Sequence, residues 1–243
     1  MTTSTHGITP AAHAIGIMLP SSNRVVERVT LAMLAVLSEV DACFTRVPYG
    51  GHPADGYDLP PFEAAAVMLS QARVRSICWN ATRGAGLGFE PDRRLCGMIT
   101  ERTGLPATTT ALATLELLRS LGLERIALLS QGSAAEGERI ADRFGAEGIT
   151  VVTGPTLGIT DNFQAALVPP DQLRRLALEA VAAAKPDAVL FWSTNLPGFG
   201  LMAELERETG IPTLDSTAIG TLAALRPTGV DLAPLTRFGR MFG

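Results

Sequence analysis

Several things are scarce in this chain, and each scarcity excludes a class. Aromatic residues make up 5% of the sequence, and histidine and cysteine number three each. Cys43, Cys78 and Cys96 are odd in number and none stands at CxxC spacing, which argues against a disulfide framework and against a zinc site. His6, His13 and His52 offer little material for a histidine-centred metal site or triad, since two of them fall near the N-terminus. No apolar run reaches the roughly 18 residues that a membrane span needs. Lys and Arg form no cluster, and the net charge is −4, so nucleic acid is not an expected partner. The polar start, Met1 to Pro10, lacks a basic segment followed by an apolar one, so no secretory leader is expected and a cytoplasmic location is the default. Charged residues are only 18% of the chain.

What is present is apolar mass. Hydrophobic residues are 47% of 243, which excludes disorder and suffices for one large core or two small ones. The pattern alternates short apolar runs with amphipathic stretches. Strands are expected at residues 14–19, 42–47, 74–79, 125–129, 150–152 and 188–192, each apolar nearly throughout, as in parallel sheets covered on both faces. Helices are expected at 25–40, 62–72, 109–121, 136–144 and 170–184, where apolar residues recur at three- and four-residue spacing. Acidic residues open 136–144, as suits a helix N-terminus, and Pro186 closes the last helix. The alternation predicts an α/β fold with parallel sheets.

The chain also repeats itself. Residues 15–22 resemble 126–133, Cys78-Trp79-Asn80 resembles Phe191-Trp192-Ser193, and Thr103-Gly104-Leu105-Pro106 resembles Thr209-Gly210-Ile211-Pro212. The three matches run in order at one offset of roughly 110 positions, which points to a duplicated α/β unit. The expected division is a first lobe of 1–112 plus 218–243 and a second of 113–217, with a cleft between. Ligands in such sheets bind beyond the carboxyl ends of strands, so residues just after strands are the ones to weigh.

Ser22 and Asn23 follow the first strand and can either help bind an anion or simply cap a helix. Asn80-Ala81-Thr82-Arg83 and Ser193-Thr194-Asn195 are matching polar turns after equivalent strands. They can cradle a small carboxylate or be ordinary turn chemistry, and Arg83 either adds charge or is a solvated surface residue. Asn162, in Gly158-Ile159-Thr160-Asp161-Asn162, can donate to a carboxylate or cap a turn. Gly50-Gly51-His52 reads as a flexible lid, with His52 a remote acid/base candidate. Gly84, Gly86 and Gly88 lack the spacing of a phosphate loop. Asp215 stands at a strand end, where a helix cap is the commoner role.

Leu19-Pro20-Ser21-Ser22-Asn23, Thr103-Gly104-Leu105-Pro106, Leu157 to Asn162 and Phe238-Gly239-Arg240-Met241-Phe242 together resemble the aspartate/glutamate racemase superfamily, in its branch of maleate cis-trans isomerases and arylmalonate decarboxylases. The similarity runs from about Ile15 to the C-terminus. It implies two similar four-stranded lobes related by a pseudo-two-fold duplication, an active-site cleft between them, no cofactor, no metal, and a homodimer. Racemases of the family use one cysteine at a strand end in each lobe. The isomerases add a cysteine to the double bond of maleate, and the decarboxylases protonate an enediolate from a single second-lobe cysteine. This chain departs from the pattern. The alignment puts Asn80 at the first cysteine position, Ser193 at the second, and Gly132 where relatives carry a substrate-contacting tyrosine. Cys78 lies two residues before Asn80 on the same strand face.

A serine hydroxyl is a far poorer acid than a thiol, and no histidine or lysine is evident beside Ser193. What survives is a carboxylate cradle of Ser22, Asn23, Asn80, Ala81, Thr82, Asn162 and Thr194. The expected function is a cofactor-independent isomerase or decarboxylase on a small maleate- or malonate-like dicarboxylate. It would work through an enediolate, with Asn80 and Ser193 as the catalytic pair. The alternatives are a catalytically reduced relative that binds a small carboxylate as sensor or accessory protein, and hydrolytic or lyase chemistry using Ser193 or Asp215.

Overall fold

A computed structural model describes residues 9–243; His6 and all but the end of the polar start lie outside the described residues. The first half runs β1 (His13–Pro20), α1 (Val26–Leu34), β2 (Val40–Val47), α2 (Leu59–Gln71), β3 (Ile77–Trp79), α3 (Arg83–Leu87), α4 (Glu90–Thr103), β4 (Ala107–Thr109) and α5 (Thr110–Ser120). The second runs β5 (Arg125–Ser130), α6 (Ala134–Ala146), β6 (Thr150–Thr153), α7 (Asn162–Ala165), α8 (Pro170–Ala184), β7 (Ala188–Trp192), α9 (Met202–Thr209), β8 (Thr213–Asp215) and α10 (Ser216–Leu225), then short 3-10 turns. Two parallel sheets result, ordered β2-β1-β3-β4 and β6-β5-β7-β8. The order is the same in both, as a duplication requires.

The repeat extends to hydrogen bonds. Gly104 and Gly210 end α4 and α9 in the left-handed conformation, at φ 71° and 72°. Thr103 and Thr209 donate to the carbonyls of Ile99 and Leu205, both at 2.7 Å, and accept from the N–H groups of Leu105 and Ile211. Pro106 and Pro212 then offer their carbonyls to Ile77 and Val189, opening β4 and β8 beside β3 and β7.

Side chains alternate across each sheet, so both faces are buried. Ile15, Ile17, Leu19 and Cys78 of the first sheet share one core with Ile126, Leu128, Leu190 and Trp192 of the second, filled by α1, α5 and α10. Met18, Ile77 and Trp79 face outward onto α2 and α4. Ala127, Leu129, Val189 and Phe191 face outward onto α8 and α9. The lobes therefore share a central core and do not fold around two separate ones.

The expected strands are all present. The helix expected over 25–40 stops at Leu34, since the chain must turn and extend to start β2 at Val40. The strand expected from 74 begins at Ile77, although the Arg75 N–H already donates to the Ala14 carbonyl of β1 at 2.7 Å. Periodicity missed the three-residue β4, the eight-residue α9, α4, whose buried apolar stripe is thin (Pro91, Leu95 and Ile99), and α10, which is apolar and small all round.

Gly220 of α10 lies against the first sheet so closely that a Cβ there would sit 2.2 Å from Thr110 Oγ1 and 2.8 Å from Asn80 Nδ2. Gly220→Ala is expected to destabilise the fold by about 1–3 kcal/mol through overpacking, read as a lower urea midpoint at unchanged slope.

Candidate active site

In both sheets the first strand has neighbours on either side, so the chain reverses direction between β1 and β3, and between β5 and β7. A crevice opens at such a switch point beyond the strand ends. The two crevices face each other and merge into a cavity of about 520 Å³. Pro20, Trp79, Ala81, Thr82 and Arg83 line it from the first lobe, and Ser130, Gln131, Asn162, Trp192, Ser193 and Thr194 from the second.

Five of the residues expected at the site line this cavity: Ala81, Thr82, Asn162, Ser193 and Thr194. Ser193 is nearly buried; its hydroxyl donates to Gln131 Oε1 at 2.6 Å and accepts from the Asn195 N–H at 3.2 Å. Thr194 Oγ1 accepts from Asn23 Nδ2 at 3.3 Å, which leaves its own proton to give. The Thr82 hydroxyl has no hydrogen-bond partner among the described residues. Asn162 Nδ2 donates to Ser22 Oγ at 2.9 Å, and its Oδ1 accepts from Gln131 Nε2 at 3.4 Å.

The other three stand behind the cavity wall. Asn80 is fully buried, with Nδ2 donating to the Thr217 carbonyl at 3.1 Å and Oδ1 accepting from Thr110 Oγ1 at 3.0 Å. Strand alternation is the reason: Trp79 takes one face of β3, and Asn80 turns to the other, toward α10. Asn23 is also fully buried. Its Oδ1 caps α1 by accepting from Val25 and Val26 at 2.9 Å, and its Nδ2 reaches the Thr194 carbonyl at 3.0 Å. Ser22 joins the site only through Asn162.

Sequence reasoning missed Gln131, Ser130 and Arg139. Gln131 directly follows β5 and is the counterpart of Pro20 in the repeat, a position that signals strand-end exposure but no role. Gly132 does line the cavity, and it is a glycine for a local reason. A Cβ there would lie 2.4 Å from Glu136 Oε2, which closes the Ser133–Glu136 capping box of α6. With the Glu136 carboxylate accepting from the Ser133 N–H, the guanidinium groups of Arg83 and Arg139 leave the cavity mouth suited to an anion.

The glycine loop supplies the roof. Tyr49 and His52 both line the cavity. The loop is tied down by Arg83 Nη2 on the Pro53 carbonyl at 2.9 Å, by the Tyr49 N–H on Ser21 Oγ, and by the Asp58 N–H on His52 Nδ1. Burial, then the charge of Arg83, lowers the His52 pKa, which favours the neutral ring. Behind the loop the Tyr57 hydroxyl donates to Asp92 at 3.2 Å. Asp92 is buried against the backbone of Gly84, and burial pushes its pKa up to about 6.

No cysteine lines the cavity. Cys78 is fully buried in the central core, and burial raises its thiol pKa well above the ordinary range. Burial pushes Cys96 up to about 12 and also raises Cys43. Asp215, fully buried, caps α10 by accepting from the Ala218 N–H at 3.0 Å, and does not line the cavity. Among the described residues no group of His, Cys, Asp and Glu could hold a metal ion, and no helix is long and apolar enough to cross a membrane.

Paired parallel sheets of equal order, joined by a shared core and open at their switch points, define a two-lobed α/β protein with an interlobe site. Within that class the chain belongs to the arylmalonate decarboxylase family, whose sequence profile matches residues 63–242. It is 36% identical over 144 residues to an arylmalonate decarboxylase of Bordetella bronchiseptica, a match covering 58% of this chain and 60% of that protein. It is 24% identical over 229 residues to a maleate isomerase of Nocardia farcinica, covering 90% and 91%. A liganded arylmalonate decarboxylase variant superposes with a TM-score of 0.79 at 26% identity, over 95% of this chain and 98% of that one. A variant of the Nocardia isomerase, which carries a covalently bound succinylcysteine intermediate, gives 0.81 at 23% identity over 95% and 98%.

The Asp92 carboxyl has a folded pKa of about 6, above its ordinary value of about 3.9, so the folded state holds its proton more tightly than the unfolded chain. Its stabilisation is complete below pH ~3.9 and is lost as pH rises through ~6, up to about 3 kcal/mol. Asp92→Asn is expected to make stability fall less steeply between pH 4 and 7, measured by urea unfolding at each pH.

Proposed function

We propose that this protein decarboxylates a small malonate-type dicarboxylate, without a thiol, through an enediolate protonated from Ser193. The observation that carries the reading is the pairing of a hydroxyl at the second-lobe strand end with three thiols that all lie outside the cavity. Racemisation at carbon needs a base, and cis-trans isomerisation by addition needs a nucleophilic thiolate. Decarboxylation asks for less. The departing carboxylate leaves its electron pair on the α-carbon, so the protein must stabilise an enediolate and supply one proton. An enediolate carbon is basic enough to take that proton from a hydroxyl.

In this reading the free hydroxyl protons of Thr82 and Thr194 and the amide of Asn162 hold the carboxylate that remains, as an oxyanion hole does. Ala81 packs against it. Arg83 and Arg139 attract the dianion to the mouth. Asn80, Ser22 and Asn23 support the site: Asn80 fixes the end of β3, Asn23 fixes Thr194, and Ser22 fixes Asn162. The overall change is a malonate dianion plus water giving a monocarboxylate and bicarbonate, balanced in atoms and charge.

A second reading is favoured by the Ser193 hydroxyl being given to Gln131. Held there, it delivers no proton, and the cleft is a carboxylate-binding site without turnover.

The experiment is proton NMR in D₂O with alkyl- and arylmalonates, maleate, and both enantiomers of aspartate and glutamate. Decarboxylation is expected for a malonate alone, with one deuterium in the product. Ser193→Ala is expected to lower that rate about a hundredfold, and iodoacetamide is expected to leave it unchanged. Saturable line-broadening without any product selects the binding protein; inhibition by iodoacetamide overturns the thiol-free mechanism.

A further inference from the structure

Resting on that decarboxylase reading, we propose that Gln131 is a positioning residue whose amide direction decides whether Ser193 can give up its proton. The observation is a continuous row of side chains across the cleft floor. Ser193 Oγ donates to Gln131 Oε1 at 2.6 Å, Gln131 Nε2 donates to Asn162 Oδ1 at 3.4 Å, and Asn162 Nδ2 donates to Ser22 Oγ at 2.9 Å. Ser22 follows β1 of the first lobe, and the other three belong to the second.

Every member of this row carries both a donor and an acceptor. The oxygen and nitrogen of a side-chain amide are nearly equal in size, so each amide can turn over in place. The row can therefore run in either direction with the same number of hydrogen bonds. As it stands, the Ser193 proton points at Gln131 and is withheld from the cavity. With both amides reversed, Ser22 donates to Asn162 Oδ1, Asn162 Nδ2 donates to Gln131 Oε1, and Gln131 Nε2 donates to Ser193 Oγ. The Ser193 proton is then free to face a bound acid.

The reversed row also suits the chemistry. When the enediolate carbon takes the proton, the Oγ–H bond breaks and an alkoxide is left. That alkoxide accepts from Gln131 Nε2 and from the Asn195 N–H, which already points at Oγ. It recovers a proton from water, and the hydroxide so formed combines with CO₂ to give bicarbonate. A hydroxyl with no neighbouring base thus becomes a usable acid, because two donors meet the charge it develops. The link through Ser22 ties this switch to the other lobe.

The test is the variant Gln131→Glu, assayed on phenylmalonate beside the wild type across pH 4.5–8. An ionised carboxylate only accepts, so it locks the Ser193 proton onto itself and repels the alkoxide. The kcat ratio of variant to wild type is expected at about one hundredth at pH 8, with KM little changed. Once the carboxyl takes a proton it can donate as the amide does. The ratio should therefore stay near that value down to about pH 6.3, where about 1% of an ordinary glutamate is protonated, and rise about tenfold per pH unit below it toward the pKa of about 4.3. Gln131→Met, of similar size and without polar atoms, is expected to be slow at every pH, with a flat ratio. Asn162→Asp, which pins Gln131 Nε2 to itself and so turns Oε1 to Ser193, is expected to lower kcat as well. A flat ratio for Gln131→Glu, or full activity in Gln131→Met, overturns the inference while the decarboxylase stands. A wild type that turns over no malonate overturns the decarboxylase and this inference with it.

Discussion

The two lobes are held in register by one buried helix and the polar groups that fasten it. Helix α10 runs through the shared core with nearly all its residues buried. Asn80 binds its Thr217 carbonyl, Ser76 Oγ donates to its Ala224 carbonyl at 2.6 Å, and Thr30 and Thr221 pair their hydroxyls at 2.9 Å. Thr217 Oγ1 in turn donates to the Thr194 carbonyl at 3.1 Å. An unpaired polar group in such a place would cost about 1–3 kcal/mol, so each bond has one acceptable geometry. The helix thereby sets where β3 and β7 end relative to each other. The cleft is the space left over.

The same fastening fixes where Asn80 points. The superfamily resemblance puts a cysteine where Asn80 stands. Here the asparagine turns to α10, and its polar atoms hold the lobes together instead of facing the cavity. Gly220 gives it room. The strand end of β3 then offers the cleft Ala81, Thr82 and Arg83, which can bind an anion but carry no acid of moderate pKa. On the proposed reading the proton comes from Ser193 of the second lobe, with His52 of the first-lobe loop above it. A single proton donor of this kind, as proposed, suits a reaction needing one proton from one face and fits poorly with a two-base racemisation.

Much of this was legible in the sequence because the fold obeys short-range rules. Apolar runs of four to eight residues mark doubly covered strands, and the repeated Thr-Gly-Leu/Ile-Pro pattern marks a helix end, a left-handed glycine and the strand after it. The strand-end turns at 80–82 and 193–195 were legible for the same reason, and five of the eight expected site residues do line the cavity. The failures share a cause. Asn80, Asn23 and Ser22 sit one residue out of phase or on a cap, and a single strand-end position cannot say which side of the turn a side chain takes. Gln131 was passed over because its role exists only through Ser193 and Asn162, which lie far from it in the chain.

The sequence by itself determined the α/β class, the duplication, and the polar turns that follow the strands bordering the cavity. These follow from local periodicity, turn chemistry and residue identity, all of which act over a few neighbouring residues. Only the tertiary structure decided that the lobes share one core, that Cys78 is shut inside it, and that Asn80 serves α10. Tertiary structure also decided that Ser193 gives its proton to Gln131 in a row reaching Ser22. These depend on packing and hydrogen bonds between residues as many as 191 positions apart, and one pattern along the chain is compatible with several such pairings.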